Sequence, residues 1–120
     1  MAKRVSVSDT PPGFSPVTKP LLQEAVDRIV SELSPQQIIL FGSYAYGRPG
    51  LASDVDLLVV METEDRPADR IMAVSRLLSP SPFPVDIVVR TPTELARDLN
   101  RIDPFMREVV AKGLILYERS

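Results

Sequence analysis

Three aspartates and a glycine–serine pair are the residues of this chain whose types and spacing could do chemistry. Gly42-Ser43 closes an apolar run, Ile38 to Phe41; ten residues follow, and then Asp54 and Asp56 introduce a second apolar run, Leu57 to Val60. A third carboxylate, Asp86, interrupts the apolar stretch from Val85 to Val89. Side chains two apart on a strand share a face, so Asp54 and Asp56 are expected to point the same way. Adjacent strands lie about 4.8 Å apart, so a neighbouring strand carrying Asp86 would bring three carboxylates together. Such a cluster repels itself, and a divalent cation removes the conflict. Oxygen-rich sites of this kind suit Mg²⁺ or Mn²⁺, which keep several waters and take substrate phosphates as further ligands. Two such ions would stabilise both the attacking and the leaving oxygen of a phosphoryl transfer.

Gly42 and Ser43 supply the other half of a phosphate site. Glycine lets the backbone approach a phosphate closely, and Ser43 adds a hydroxyl donor. A helix beginning at Tyr44 would turn free amide groups toward the same place, and Arg48 could add positive charge from the loop. Each feature also has a plain structural reading. Gly-Ser after a strand is usually a turn, and Asp-x-Asp at a strand start is often a solvated cap. Asp86 is less easily dismissed, because burying an unpaired carboxylate inside an apolar run is costly. Tyr44 and Tyr46 read as packing or cap residues, the stripe of Met72 and Leu77 as core, and Glu62, Glu64, Asp65, Arg66 and Asp69 as a solvated helix start.

Composition narrows the alternatives. The chain has 120 residues, 44% of them hydrophobic and 25% charged, as expected of one globular domain. It contains no cysteine and no histidine. That removes disulfides, thiolate chemistry, His-based zinc sites and a Ser-His-Asp triad, and leaves carboxylates as the metal ligands. The net charge of −2 and the lack of a basic block argue against broad nucleic-acid binding. No apolar run approaches the ~20 residues that span a bilayer, and no apolar core follows the basic residues near Met1, so no membrane association and a cytoplasmic location are expected.

The elements that must position these residues follow from periodicity. Residues 1–19, with Pro11, Pro12, Gly13 and Pro16, read as a flexible extension, and residues 20–120 as the folded domain. Leu21, Leu22, Ala25, Val26, Ile29, Val30 and Leu33 recur at helical spacing from Pro20, and Ser34-Pro35 stops that helix. Strands are expected at 36–41, 54–61 and 85–89. A second amphipathic helix with Ala68, Ile71, Met72, Val74, Leu77 and Leu78 lies between the last two. Thr91-Pro92-Thr93-Glu94 is a capping box opening a short helix to about Leu99. Asp103-Pro104 opens another carrying Phe105, Met106, Val109 and Val110, and Gly113 is placed to end it. Leu114 to Tyr117 is expected to be a last, edge strand. Strands alternating with helices predict an α/β or α+β architecture, with helices packed on a mixed sheet of about four strands.

At this point the residues become recognisable. Gly42-Ser43, ten residues, then Asp54-Val55-Asp56 resembles the signature of the DNA polymerase β-like nucleotidyltransferase superfamily. Val85-Asp86-Ile87-Val88-Val89 looks like its third-carboxylate strand. The length and the closing Gly113 to Glu118 segment are similar to the minimal nucleotidyltransferases of bacteria and archaea. The resemblance covers roughly residues 20–118.

It implies a nucleotidyltransferase fold and transfer of a nucleoside monophosphate from a nucleoside triphosphate, AMP from ATP above all, with release of pyrophosphate. It implies two Mg²⁺ ions. By position, Asp54 and Asp56 would bind both metals and the triphosphate, Asp86 would bind the catalytic metal and help activate the acceptor hydroxyl, and Gly42 and Ser43 would hold the β and γ phosphates. Many minimal members are antitoxins paired with a HEPN-domain toxin, and some add AMP to a toxin tyrosine. A HEPN-domain protein is therefore the implied partner, supplying the acceptor walls that so short a chain lacks, and self-association is compatible with this. One departure stands out: minimal relatives often carry arginine where this chain has Tyr46, and Arg48 could substitute for it. The alternatives are an antitoxin that acts by binding alone and transfer to a small molecule.

Overall fold

The computed structural model describes residues 2–4, 18–42, 44–45, 55–81, 83–101 and 104–119. In chain order the elements are β1 (Ala2–Arg4), α1 (Thr18–Leu33), β2 (Gln37–Phe41), β3 (Val55–Val60), α2 (Pro67–Leu77), β4 (Val85–Arg90), α3 (Pro92–Asn100), α4 (Pro104–Lys112) and β5 (Leu114–Arg119). The strands form one mixed sheet in the order β1-β5-β2-β3-β4. β3 and β4 are parallel, joined through α2, and the other neighbours are antiparallel.

Strand alternation divides the sheet into two covered faces. One face carries Ile38, Leu40, Val55, Leu57, Val59, Ile87 and Val89. Against it pack Leu22, Ala25, Val26 and Ile29 of α1 and Val74 of α2, each at helical spacing. The other face carries Ile39, Phe41, Leu58, Val60 and Val88, packed against Leu95 and Leu99 of α3 and Met106 and Val109 of α4. β3 is apolar on both sides because it lies inside the sheet under helices on both faces, and only Asp56 breaks its run. Each fully buried Leu or Val contributes roughly 1.5–3 kcal/mol. The helices thus have strong reasons to stay where they hold the strand ends in place.

Local signals explain the helix boundaries. Ser34 takes a left-handed φ of 48° and donates its N–H to the Val30 carbonyl at 3.2 Å, ending α1 before Pro35. The Thr91 capping box is formed: Glu94 N–H donates to Thr91 Oγ1 at 3.1 Å, and Thr91 N–H donates to Glu94 Oε1 at 2.8 Å. At the end of α4 the Gly113 N–H donates to Val109 O at 2.9 Å. A Cβ on Gly113 would sit 2.4 Å from that carbonyl and 2.5 Å from Ile39 Cγ2, so only glycine lets the chain turn this tightly into β5.

The mixed sheet with packed helices matches the expected architecture, with four corrections of detail. A fifth strand exists: Ala2–Arg4, within the stretch read as a flexible extension, pair with β5, and α1 already begins at Thr18. β5 is therefore an interior strand rather than an edge. Ile71 and Met72 of α2 are exposed, at 41% and 50%, whereas Arg70 is buried. Arg70 occupies the inward position because its charge is fully employed: Nη1 donates to Glu94 Oε1 at 2.6 Å and Nε to the Asp65 carbonyl at 2.8 Å. Tyr44 and Ala45 form a turn, with Ala45 N–H donating to Gly42 O at 3.0 Å, and the rest of the helix start expected at Tyr44 to Tyr46 lies outside the described residues. Among the described residues, no helix is long and apolar enough to cross a membrane.

Candidate active site

The C-terminal end of β2 and the N-terminal ends of β3 and β4 meet at one corner of the sheet. Phe41 is the cross-strand partner of Asp56, and Asp56 is the partner of Asp86. Asp56 and Asp86 thus stand side by side on neighbouring parallel strands, about 4.8 Å apart across the ladder. Both alternate with apolar residues of the α3/α4 face, Asp56 with Leu58 and Val60, Asp86 with Val88. Two like charges at this spacing repel by about 1 kcal/mol even when well hydrated. A folded protein that keeps them in register has a use for the pair or a counter-charge that joins them.

Gly42 is fitted to this corner. It takes φ +77°, and a Cβ there would lie 2.1 Å from Asp56 Oδ2. The Asp56 carboxylate therefore rests against the turn's backbone, where any side chain would displace it. A groove of about 360 Å³ opens at this corner, lined by Phe41, Gly42, Asp56, Asp86 and Val88 from the sheet and Phe105, Glu108 and Val109 from α4. Phe105 meets Phe41 edge to face, with ring centroids 5.8 Å apart and planes at 83°, and remains 49% exposed. Glu108 is exposed on the same helix and pairs with Lys112 at 3.6 Å.

The expected site residues divide into two groups. Gly42, Asp56 and Asp86 are brought to one groove. Ser43, Arg48 and Asp54, with Tyr46, lie outside the described residues. Asp86 differs from expectation in its surroundings: it is exposed, because it stands at the open mouth of the groove at the start of β4. Phe105 was read only as a helix residue and Glu108 was not singled out; their approach to the aspartates depends on α4 folding back over β2. The pairing of an aromatic and an acidic residue at i and i+3, with Met106 and Val109 buried beside them, is the trace they leave in the sequence.

Among the described residues, no group of three or more His, Cys, Asp or Glu side chains gathers as a metal cage. Two carboxylates in register nonetheless fit Mg²⁺, which is commonly bound through one or two protein carboxylates plus substrate phosphates and water. Asp56 and Asp86 would hold such an ion, and Asp54 is the expected third ligand.

A mixed sheet under helices that gathers two carboxylates and a glycine turn at one corner places the chain among α/β domains with an acidic site at the strand ends. The chain belongs to the nucleotidyltransferase domain family, whose match extends over residues 22–116. It is also similar in structure to a Sulfolobus solfataricus protein proposed to be a nucleotidyltransferase, with a TM-score of 0.57, 26% identity, and coverage of 80% of this chain and 76% of that one. No curated protein sequence matches the chain.

Proposed function

We propose that this protein transfers a nucleoside monophosphate, AMP from ATP, to a hydroxyl on a partner protein, and that the partner is a HEPN-domain toxin which the modification silences. The observation that carries the transferase reading is the in-register pair of Asp56 and Asp86 facing the Gly42 turn. Membership of the nucleotidyltransferase family supports it. In the reaction the acceptor oxygen forms a bond to the α-phosphorus, the α–β phosphoanhydride bond breaks, and pyrophosphate leaves. The exposed Asp86 carboxylate at the groove mouth receives the hydroxyl proton and orients the acceptor oxygen. Asp56, pressed against Gly42, is held in one place beside Asp86, so the two carboxylates present a fixed set of oxygens to a cation-bound triphosphate. Divalent cations held by Asp56 and Asp86 would supply the positive charge that stabilises the phosphorus centre. The acceptor comes from outside because the groove is open on one side, with the half-exposed Phe105 as part of its wall.

The test is to incubate the chain with ATP, Mg²⁺ and a HEPN-domain protein as acceptor, and to weigh that protein. An adduct of AMP mass on one hydroxyl side chain is expected. No adduct with any nucleotide would sink the reading.

A further inference from the structure

We propose that the groove at the carboxyl end of β4 is a second anion site, built to take a dianionic phosphate monoester group. It is separate from the aspartate corner: Asp86 and Arg90 lie at opposite ends of β4, about 13 Å apart along the strand. The groove, of about 380 Å³, is lined by Arg70, Arg90, Arg97, Arg101, Glu94 and Asp98, together with Pro67. Four guanidinium groups face two carboxylates, a balance of +2 in a chain whose net charge is −2.

The two carboxylates are already engaged. Glu94 accepts from Arg70 at 2.6 Å, and Asp98 accepts from Arg90 at 3.2 Å. Arg70 is seated, with its side chain only 9% exposed and its Nε held by the Asp65 carbonyl at 2.8 Å. Arg97 and Arg101 are exposed one turn apart on and just beyond α3, and among the described residues no carboxylate pairs with either. Among the described residues these two charges have no carboxylate to answer them, and a ligand anion would.

Helix α2 contributes independently. It begins at this groove with Pro67, its N-cap Arg66 makes no side-chain capping bond, and the acidic side chain of its first turn, Asp69, is engaged by Arg66 Nε at 3.1 Å, so its first amides lack a side-chain cap. Arginine forks and helix amides together favour phosphate. A phosphate monoester carries about −1.5 to −2 at neutral pH, which matches the uncompensated +2 better than one carboxylate or one backbone diester does. The group could belong to a free nucleotide or to the 5′ end of an oligonucleotide.

The inference stands apart from the nucleotidyl-transfer reading, so its test is run in EDTA. The intact, isotope-labelled chain is titrated with AMP, with a short RNA bearing or lacking a 5′-phosphate, and with a glutamate-rich peptide, following backbone amide shifts. Saturable shifts are expected around residues 67–70 and 91–101 with AMP or the 5′-phosphorylated RNA. Binding should weaken at least tenfold in the double variant R97A/R101A, which melts like the parent because both side chains are exposed. A phosphorylated RNA that binds more tightly than AMP assigns the site to oligonucleotide ends, and equal binding assigns it to free nucleotides. The proposal is overturned if these amides do not respond, if the double variant binds as well as the parent, or if the peptide binds as tightly as the phosphate probes.

Discussion

Asp56 and Asp86 each occupy the second position of a strand, where the ladder fixes the backbone while the carboxylate still reaches the groove. Substituting Asp86→Asn removes the proton acceptor while keeping size and shape. Transfer is expected to fall by about 10²–10⁴-fold, with an unchanged melting temperature in the absence of metal. Gly42→Ala tests the fit from the other side. The left-handed backbone costs a non-glycine residue about 1–2 kcal/mol, and the added Cβ must displace the Asp56 carboxylate. Stability and transfer should both fall; a variant with parental activity would show that the Asp56–Gly42 contact is incidental. This part of the site was legible in the sequence because it rests on local spacing: a turn after one strand and aspartates at the start of others. Phe105 and Glu108 were not, because their role arises from where α4 lands on the sheet.

The clearest energetic joint between elements is Arg70 of α2 with Glu94 of α3. The Arg70 guanidinium, followed by the Thr91 backbone N–H, holds the Glu94 carboxyl below its ordinary value of 4.5, against a partial desolvation that pushes it up. A carboxylate depressed in the folded state contributes stability that is complete above the pH where the unfolded chain titrates it. That stability is lost as pH falls below about 4.5 and through the lower folded value. Glu94→Gln should therefore destabilise the protein by about 1–3 kcal/mol at pH 7, by leaving Arg70 short of a charged partner, and should flatten the acid limb of a pH–melting curve. An acid limb identical to the parent's would mean that this pair does not couple α2 to α3. The capping box was legible from Thr91-Pro92-Thr93-Glu94, but not the second use of Glu94 as counter-ion. Arginine at an inward helix position breaks the apolar pattern by which core is recognised, so Ile71 and Met72 were taken inward instead. β1 was hidden for a related reason: Ala-Lys-Arg has no apolar alternation, and its strand state comes from the exposed edge of β5.

At the scale of the molecule, the alternation of strands and helices fixed the class of architecture, and the strand order β5-β2-β3-β4 is what turns separated sequence motifs into one corner. Two consequences concern the whole protein. Because the carboxylate pair exists only when β3 and β4 are in register, Mg²⁺ or Mn²⁺ should bind the native state alone. Saturating metal should then raise the melting temperature of the parent, and the gain should vanish in the double variant D56N/D86N. Equal shifts in both would place the metal elsewhere. The most direct test of nucleotidyl transfer is to follow label from α-phosphate-labelled ATP into the partner protein in the presence of Mg²⁺, comparing the parent with Asp56→Asn and Asp86→Asn proteins of matched folding. The account predicts labelled partner with the parent and a loss of at least a hundredfold with either variant. Labelling that persists unchanged in both variants would contradict it.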